Sequence, residues 1–320
     1  LSDNLLHRSR EDLQVRQRFV GLALAVTGAV AFSGKAIVVK LAYRYGVDAI
    51  TLLMYRMLFS LPFFLAMAWW AGRRVGKGEN ENNPPRRLER KDYWAVVGLG
   101  FSGYYLASFL DFLGLQYISA SLERLILYLN PTLVLLLGLI LFGRRLSWRQ
   151  LGGVGLSYAG VILALSHEFQ LEGRNVWAGS LLVFVSAISY AIYLVYSGEW
   201  VKRLGSVRLV GWSSSIACML CIAQFLLTKP LSALVVPFPV YYLSLINALF
   251  CTVIPVLLVM MAIGRIGAGL ASQVGMIGPV STFYFAHLFL DEPFGLWAGA
   301  GAALVLTGVA WASRASPSRD

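Results

Sequence analysis

Residues 115–142, LQYISASLERLILYLNPTLVLLLGLILF, and residues 263–290, IGRIGAGLASQVGMIGPVSTFYFAHLFL, are two copies of one pattern set 148 positions apart. Ile118 pairs with Ile266, Ala120 with Ala268, Leu122 with Leu270 and Pro131 with Pro279. The match continues through Gly153 and Gly301, Leu156 and Leu304, Gly160 and Gly308. Similarity at so long a period marks a duplicated half rather than a short stacked unit. In each copy the proline stands near the middle of an apolar run of about 25 residues, long enough to cross a bilayer. A proline removes one helical hydrogen bond and frees the carbonyl a turn earlier, here that of Leu127 or Gly275. Lipid offers no partner for that group, so the break belongs where protein or a polar cavity satisfies it.

Composition agrees with a membrane setting. Hydrophobic residues make up 58% of the 320 and charged ones only 13%, about half the charged fraction of a soluble domain. The net charge of +11 does not point to nucleic acid, because the basic residues fall in short gaps between apolar runs instead of gathering on one polar face. Cys218, Cys221 and Cys251 all lie inside apolar runs and read as small buried hydrophobes. No small-residue cleavage site follows the first apolar run, so no secretory signal peptide is expected.

Ten apolar runs can be marked, approximately 19–42, 49–71, 93–113, 118–142, 148–166, 176–198, 207–228, 239–262, 266–290 and 294–313. The chain is therefore expected to be an all-α integral membrane protein of ten transmembrane helices. Residues 1–18 form an N-terminal segment, 19–166 and 176–313 two five-helix repeats, and 314–320 a tail. With the N-terminus in the cytoplasm, twenty of the 27 Lys and Arg fall on the inner side, the charge bias that sets orientation. Both termini are then cytoplasmic. Five spans per half is odd, so the second half enters the membrane inverted, an arrangement found in many secondary transporters.

Several motifs resemble the EamA-like branch of the drug/metabolite transporter superfamily. The second half carries Gly278-Pro279, Leu290-Asp291-Glu292-Pro293, Gly301 and Gly308. The first carries Phe32-Ser33-Gly34-Lys35, Arg56, Asn130-Pro131, Gly153 and Gly160, with Arg144 where the family often has glutamate. The resemblance covers essentially the whole chain. It implies export of amino acids, other metabolites or toxic compounds across a bacterial inner membrane.

Ionisable side chains within a span cost about 2.5–3.5 kcal/mol on insertion scales and are functional candidates unless they reach the interface. Lys40 and Asp111 lie close enough to span ends to do so. Lys35, Arg56, Glu123 and Arg124 lie deeper. An ion pair of Glu123 with Lys35 or Arg56 could simply tie helices together. As a substrate site, the cations would attract a carboxylate and Glu123 an ammonium. Tyr128, Asn130 and Pro131 lie on or beside the Glu123 face of the fourth span. Gln273, Met276, Tyr284 and His287 share a face of the ninth, the one that carries Pro279 near its middle. Tyr105, Phe109 and Tyr193 supply an aromatic lining suited to a small amphipathic molecule. The fifth and tenth spans carry rows of small residues, including Gly295, Gly299, Ala303 and Thr307, that permit close helix contact. In the resembling family they lie outside the transport bundle, where a homodimer contact is a hypothesis.

The expected activity is export of small amphipathic metabolites, amino acids foremost, aromatic ones included. Drug or organic-cation efflux is the alternative, and it would favour acidic residues deep in the spans. A membrane-embedded enzyme is disfavoured, because the three histidines are scattered and neither metal-ligand spacing nor a nucleophile elbow occurs. No cofactor or metal is expected.

Overall fold

The structure is a computed structural model that describes residues 2–75, 89–143, 146–172, 175–275, 277–292 and 295–314. Among the described residues every regular element is helical. In chain order they are α1 (Ser2–Tyr43), α2 (Ala49–Val75), α3 (Arg90–Gly100), α4 (Ala107–Gly114), α5 (Ala120–Leu127), α6 (Asn130–Phe142) and α7 (Trp148–Glu172). There follow α8 (Asn175–Leu204), α9 (Ser206–Thr228), α10 (Phe238–Ala248), α11 (Ile254–Gly275), α12 (Gly278–Leu290) and α13 (Leu296–Arg314). Among the described residues, seven helical stretches are long and apolar enough to cross a bilayer: Arg16–Tyr43, Ala49–Gly72, Arg90–Gly114, Ala120–Phe142, Asn175–Gly198, Val207–Thr228 and Phe238–Val259. Large side chains such as Ile140, Leu181, Leu227 and Phe250 face outward, as they must where lipid is the solvent. Trp94, Trp148, Trp177 and Trp297 stand exposed near helix starts, the usual place for interfacial tryptophan.

The offset read in the sequence recurs in the backbone. α6 and α12 each have 13 residues, and each carries its proline in the first turn. The residues that end them, Gly143 at φ 62° and Asp291 at φ 58°, are both left-handed. π-helical turns interrupt the chain at Phe101–Leu106 and at Leu249–Val253, again 148 positions apart. The expected break falls at the residues whose carbonyls the prolines would free. α5 stops at Leu127 and α11 at Gly275, and a new helix begins before each proline. Pro131 and Pro279 thus occupy positions whose N–H has no intrahelical partner, so the missing donor costs nothing.

Packing follows the same offsets. Gly34 lies against Cys251, Gly28 against Leu258 and Val259, and Gly21 against Arg265 and Ile266, so α10 and α11 run opposite to α1. Ser33 donates to the Gly278 carbonyl at 2.8 Å, and Arg44 donates to the Leu290 carbonyl at 3.3 Å. α12 therefore runs alongside α1 in the same direction. In the other half, Gly179 lies against Tyr117 and Ile118, and Gly103 against Tyr193. α7 and α13 pack together where Gly153 meets Gly308 and Gly160 meets Gly301. The expected row on α13 is a different one: Ala303 and Thr307 are exposed, while Gly301, Val305, Gly308 and Val309 face α7.

The turn between α1 and α2 is held by Asp48. Its carboxylate accepts from the Ile50 amide at 3.1 Å, the Thr51 hydroxyl at 2.7 Å and Lys229 at 3.1 Å. Burial alone would raise its pKa, but the Thr51 and Lys229 donors outweigh burial and hold it below the ordinary value. Its contribution to stability is present above the unfolded carboxylate value of about 3.9 and is lost as pH falls through the lower folded value. Asp48→Asn should therefore flatten the acid limb of a melting series run downward from neutral pH.

A Cβ at residue 160 would stand 2.6 Å from the Gly301 carbonyl, whereas one at Gly155 would meet nothing within 4 Å. Gly160→Ala should cost about 1–3 kcal/mol by forcing the helices apart. Gly155→Ala should cost nothing, and thermal unfolding in detergent separates the two.

Candidate functional site

Lys35 lies eight residues before the end of α1, and Arg56 seven residues into α2. At 1.5 Å per residue both sit roughly 10–12 Å below the α1–α2 turn. α4 brings Asp111 to the same depth, and α5 brings Glu123 and Arg124. All five are buried: Glu123 is 0% exposed and Arg124, the most open, 9%. Lys35 Nζ lies 2.6 Å from Asp111 Oδ2 and 3.1 Å from Glu123 Oε1, so one ammonium serves two carboxylates from two helices. Asp111 does not reach the interface as its sequence position allowed. α4 runs on past it, so the carboxylate is enclosed and takes Lys35 instead. Lys40 reaches upward and donates to the Ile118 carbonyl at 2.8 Å.

The two arginines lie on either side of this triad and have no carboxylate partner among the described residues. Arg56 Nε donates to Thr252 Oγ1 at 3.0 Å, and its guanidinium lies 5.1 Å from the centre of the Phe112 ring. Thr252 belongs to the second π turn and in turn donates to the Asn247 carbonyl at 2.9 Å. Arg124 Nη2 lies 3.4 Å from Ser33 Oγ, with its guanidinium 5.8 Å from the Phe32 ring centre and 5.9 Å from that of Tyr128. It rests on Gly278, the first residue of α12. Arg56 Nη1, Arg124 Nε and Asn130 Oδ1 are buried without a hydrogen-bond partner among the described residues.

The position equivalent to Lys35 in the second half, at an offset of 158, is Tyr193. It stacks on Tyr190 with centroids 5.6 Å apart and meets Tyr104 edge-on at 5.2 Å. Nearby hydroxyls repair the first π turn, with Ser189 donating to the Ser102 carbonyl at 2.8 Å and Ser186 to that of Ala107 at 2.7 Å. The expected aromatic lining is therefore divided. Tyr105 and Phe109 are half-buried against the core of α1, α2 and α9, away from the tyrosine group.

The polar face expected on the ninth span does not turn inward. Tyr284 is 62% exposed, His287 is exposed, and α12 buries Pro279, Thr282, Phe283 and Ala286 instead. The helix restarts at Gly278, so a face counted from Gln273 is not carried across the break. Met276, the Gln273 side chain and Arg144 lie outside what the structure describes.

Glu292 had no assigned role in the sequence, yet it holds two elements together. Its carboxylate accepts from the Ala120 amide at 2.8 Å and from the Ser121 hydroxyl at 2.7 Å. A carboxylate at those first-turn amides caps α5 and complements its dipole. The signal was its place in the Leu290-Asp291-Glu292-Pro293 motif, two residues past the end of a helix that packs on α5. Above the cluster, a cavity of about 630 Å³ opens among Lys40, Tyr43, Arg44, Gln116 and Glu292.

The profile of the EamA-like transporter family matches residues 19–166 and 177–314. The chain is 31% identical over 298 residues to YcbK, an uncharacterized transporter of Bacillus subtilis, covering 90% of this chain and 91% of the relative. It is 25% identical over 217 residues to the S-adenosylmethionine/S-adenosylhomocysteine transporter of Chlamydia muridarum, covering 65% and 68%. One solved crystal structure aligns with a TM-score of 0.61 at 20% identity, covering 92% of this chain and 97% of the other. That last likeness concerns the fold alone.

Removing one partner of a buried ion pair typically costs about 3–5 kcal/mol, because the other charges remain. Lys35→Met should show a loss of that size in thermal unfolding. Adding Asp111→Asn and Glu123→Gln to it should recover most of the loss.

Proposed function

Because the chain belongs to the EamA-like transporter family, we propose that it is a secondary transporter working by alternating access. It exports small amphipathic metabolites, amino acids foremost, across a bacterial inner membrane. The observation that carries the reading is a duplicated frame built around a charged cluster present in one half only.

Ten crossings in two inverted halves are supported by the mirrored contacts. Gly21 on Ile266 corresponds to Gly179 on Ile118, and the contact of Gly34 with Cys251 is mirrored, one residue along, by that of Tyr193 with Gly103. The helical residues 254–275 also cannot run straight. Ile266 lies beside Gly21 while Gly278, twelve residues later, lies beside Ser33. The chain therefore reverses near residue 266 and returns along α1 by about 18 Å. That supports the ninth run as a crossing of its own, as the turn at 115–119 supports the fourth. With the basic loops in the cytoplasm, both termini lie inside and the charged cluster toward the outer face. In this reading Lys35, Arg56, Glu123 and Arg124 meet the substrate's charged groups when the site opens outward, and Tyr193 with its neighbours when it opens inward. The row of half-buried Gly299 with exposed Ala303 and Thr307 is the face on which a second copy would sit.

Counterflow in liposomes tests this with a panel of amino acids and cationic dyes, with and without a pH gradient. Movement of at least one amino acid is expected. Movement of dyes alone would favour drug efflux, and no movement of any solute would remove the transport reading.

A further inference from the structure

The buried cluster holds three cations, Lys35, Arg56 and Arg124, against two carboxylates, Asp111 and Glu123, and both carboxylates sit on Lys35. We propose that Arg124 of α5, beside the start of α12, is the subsite that takes a carboxylate of the transported solute, a deepening of the transport reading on which it rests.

Four features converge on Arg124. First, its guanidinium has five donors in a planar fork suited to a carboxylate. Among the described residues its polar contact is the Ser33 hydroxyl at 3.4 Å, and Nε has none. Ser33 meanwhile turns its own proton to the carbonyls of Ala29 and Gly278, each at 2.8 Å. Second, Phe32 and Tyr128 flank the guanidinium, which holds it in place and gives an apolar body somewhere to lie. Third, α12 begins at Gly278 directly under it. The start of a 13-residue helix carries a partial positive charge, although Pro279 adds no N–H to it. Fourth, one bound carboxylate would cancel the cluster's single excess positive charge, which is expensive to leave uncompensated away from water.

Arg56 is the weaker candidate, since Thr252 and the Phe112 ring already engage it. Lys35 is occupied twice over. Gly278 is what admits Arg124, because a Cβ there would stand 2.6 Å from Nη2. The atom displaced would be the end of a flexible side chain, so Gly278→Ala moves the guanidinium without disturbing the backbone.

The full chain in nanodiscs is titrated, with melting temperature as readout. The ligands are matched acids and amides: acetate and acetamide, phenylacetate and phenylacetamide, L-phenylalanine and its amide. Inorganic phosphate is the control anion. At least one acid should stabilise the protein where its amide does not. Arg124→Gln should abolish that difference, a weakening of roughly 10- to 150-fold for one charged hydrogen-bond pair. Gly278→Ala should weaken acid binding with the ligand-free melting temperature unchanged, and it decides the matter if Arg124→Gln does not fold. The proposal is overturned if no acid is preferred over its amide, if the preference survives both substitutions, or if phosphate stabilises as well as the acids. Counterflow run in parallel separates the two levels. Acid preference without solute movement removes transport and leaves the subsite, whereas equal movement of acid and amide removes the subsite and leaves transport.

Discussion

A hydrocarbon solvent supplies no hydrogen bonds, and this constraint explains where the chain departs from regular helix. Each departure comes with its own donor or acceptor. The π turn at Phe101–Leu106 is met by the hydroxyls of Ser186 and Ser189, and Thr252 in the second π turn bonds back to Asn247. The α5 start is met by Glu292, and the proline breaks place a residue without an N–H where no acceptor would be waiting. Irregular backbone is thus confined to protein-lined positions. The second π turn and α5 adjoin the buried charges, and the first π turn adjoins the tyrosines.

The same constraint accounts for the difference between the halves. A charge in lipid needs a partner, so the five ionisable groups cluster where α1, α2, α4 and α5 meet. The equivalent place in the second half carries neutral tyrosines that satisfy one another by stacking and edge contacts. The frame is repeated while its chemistry is not. Helix lengths, cap conformations and π turns follow the offset of 148, yet Lys35 corresponds to Tyr193 and Glu123 to Ala271.

What the sequence made legible was periodic. The offset, the paired prolines and the small residues of the fifth and tenth spans all repeat, and a repeated signal can be read without coordinates. What it hid was directional. Asp111 looked near enough to a span end to reach water, but only its enclosure by neighbouring helices shows that it turns to Lys35. Tyr284 and His287 shared a face with Gln273 on paper, and the break before Gly278 cancelled that register. Glu292 looked like a loop residue because its partners, Ala120 and Ser121, lie about 170 positions earlier. The small residues of α13 were noticed in one row, while the contact with α7 uses the neighbouring row. That choice depends on which side the partner approaches.

The α7–α13 contact has a further consequence for how such a chain diverges. Gly153 touches Gly308 and Gly160 touches Gly301, so each position meets the counterpart of the other. A bulkier residue at either position in one half presses on the other position's copy in the other half, and the two halves cannot drift separately there. Lys35 pairs with Asp111 and Glu123 whereas Tyr193 packs on Gly103 and other tyrosines, so the two answer to different neighbours. Positions of that kind were free to acquire new chemistry after duplication, which is how a repeated scaffold can come to hold an unrepeated site.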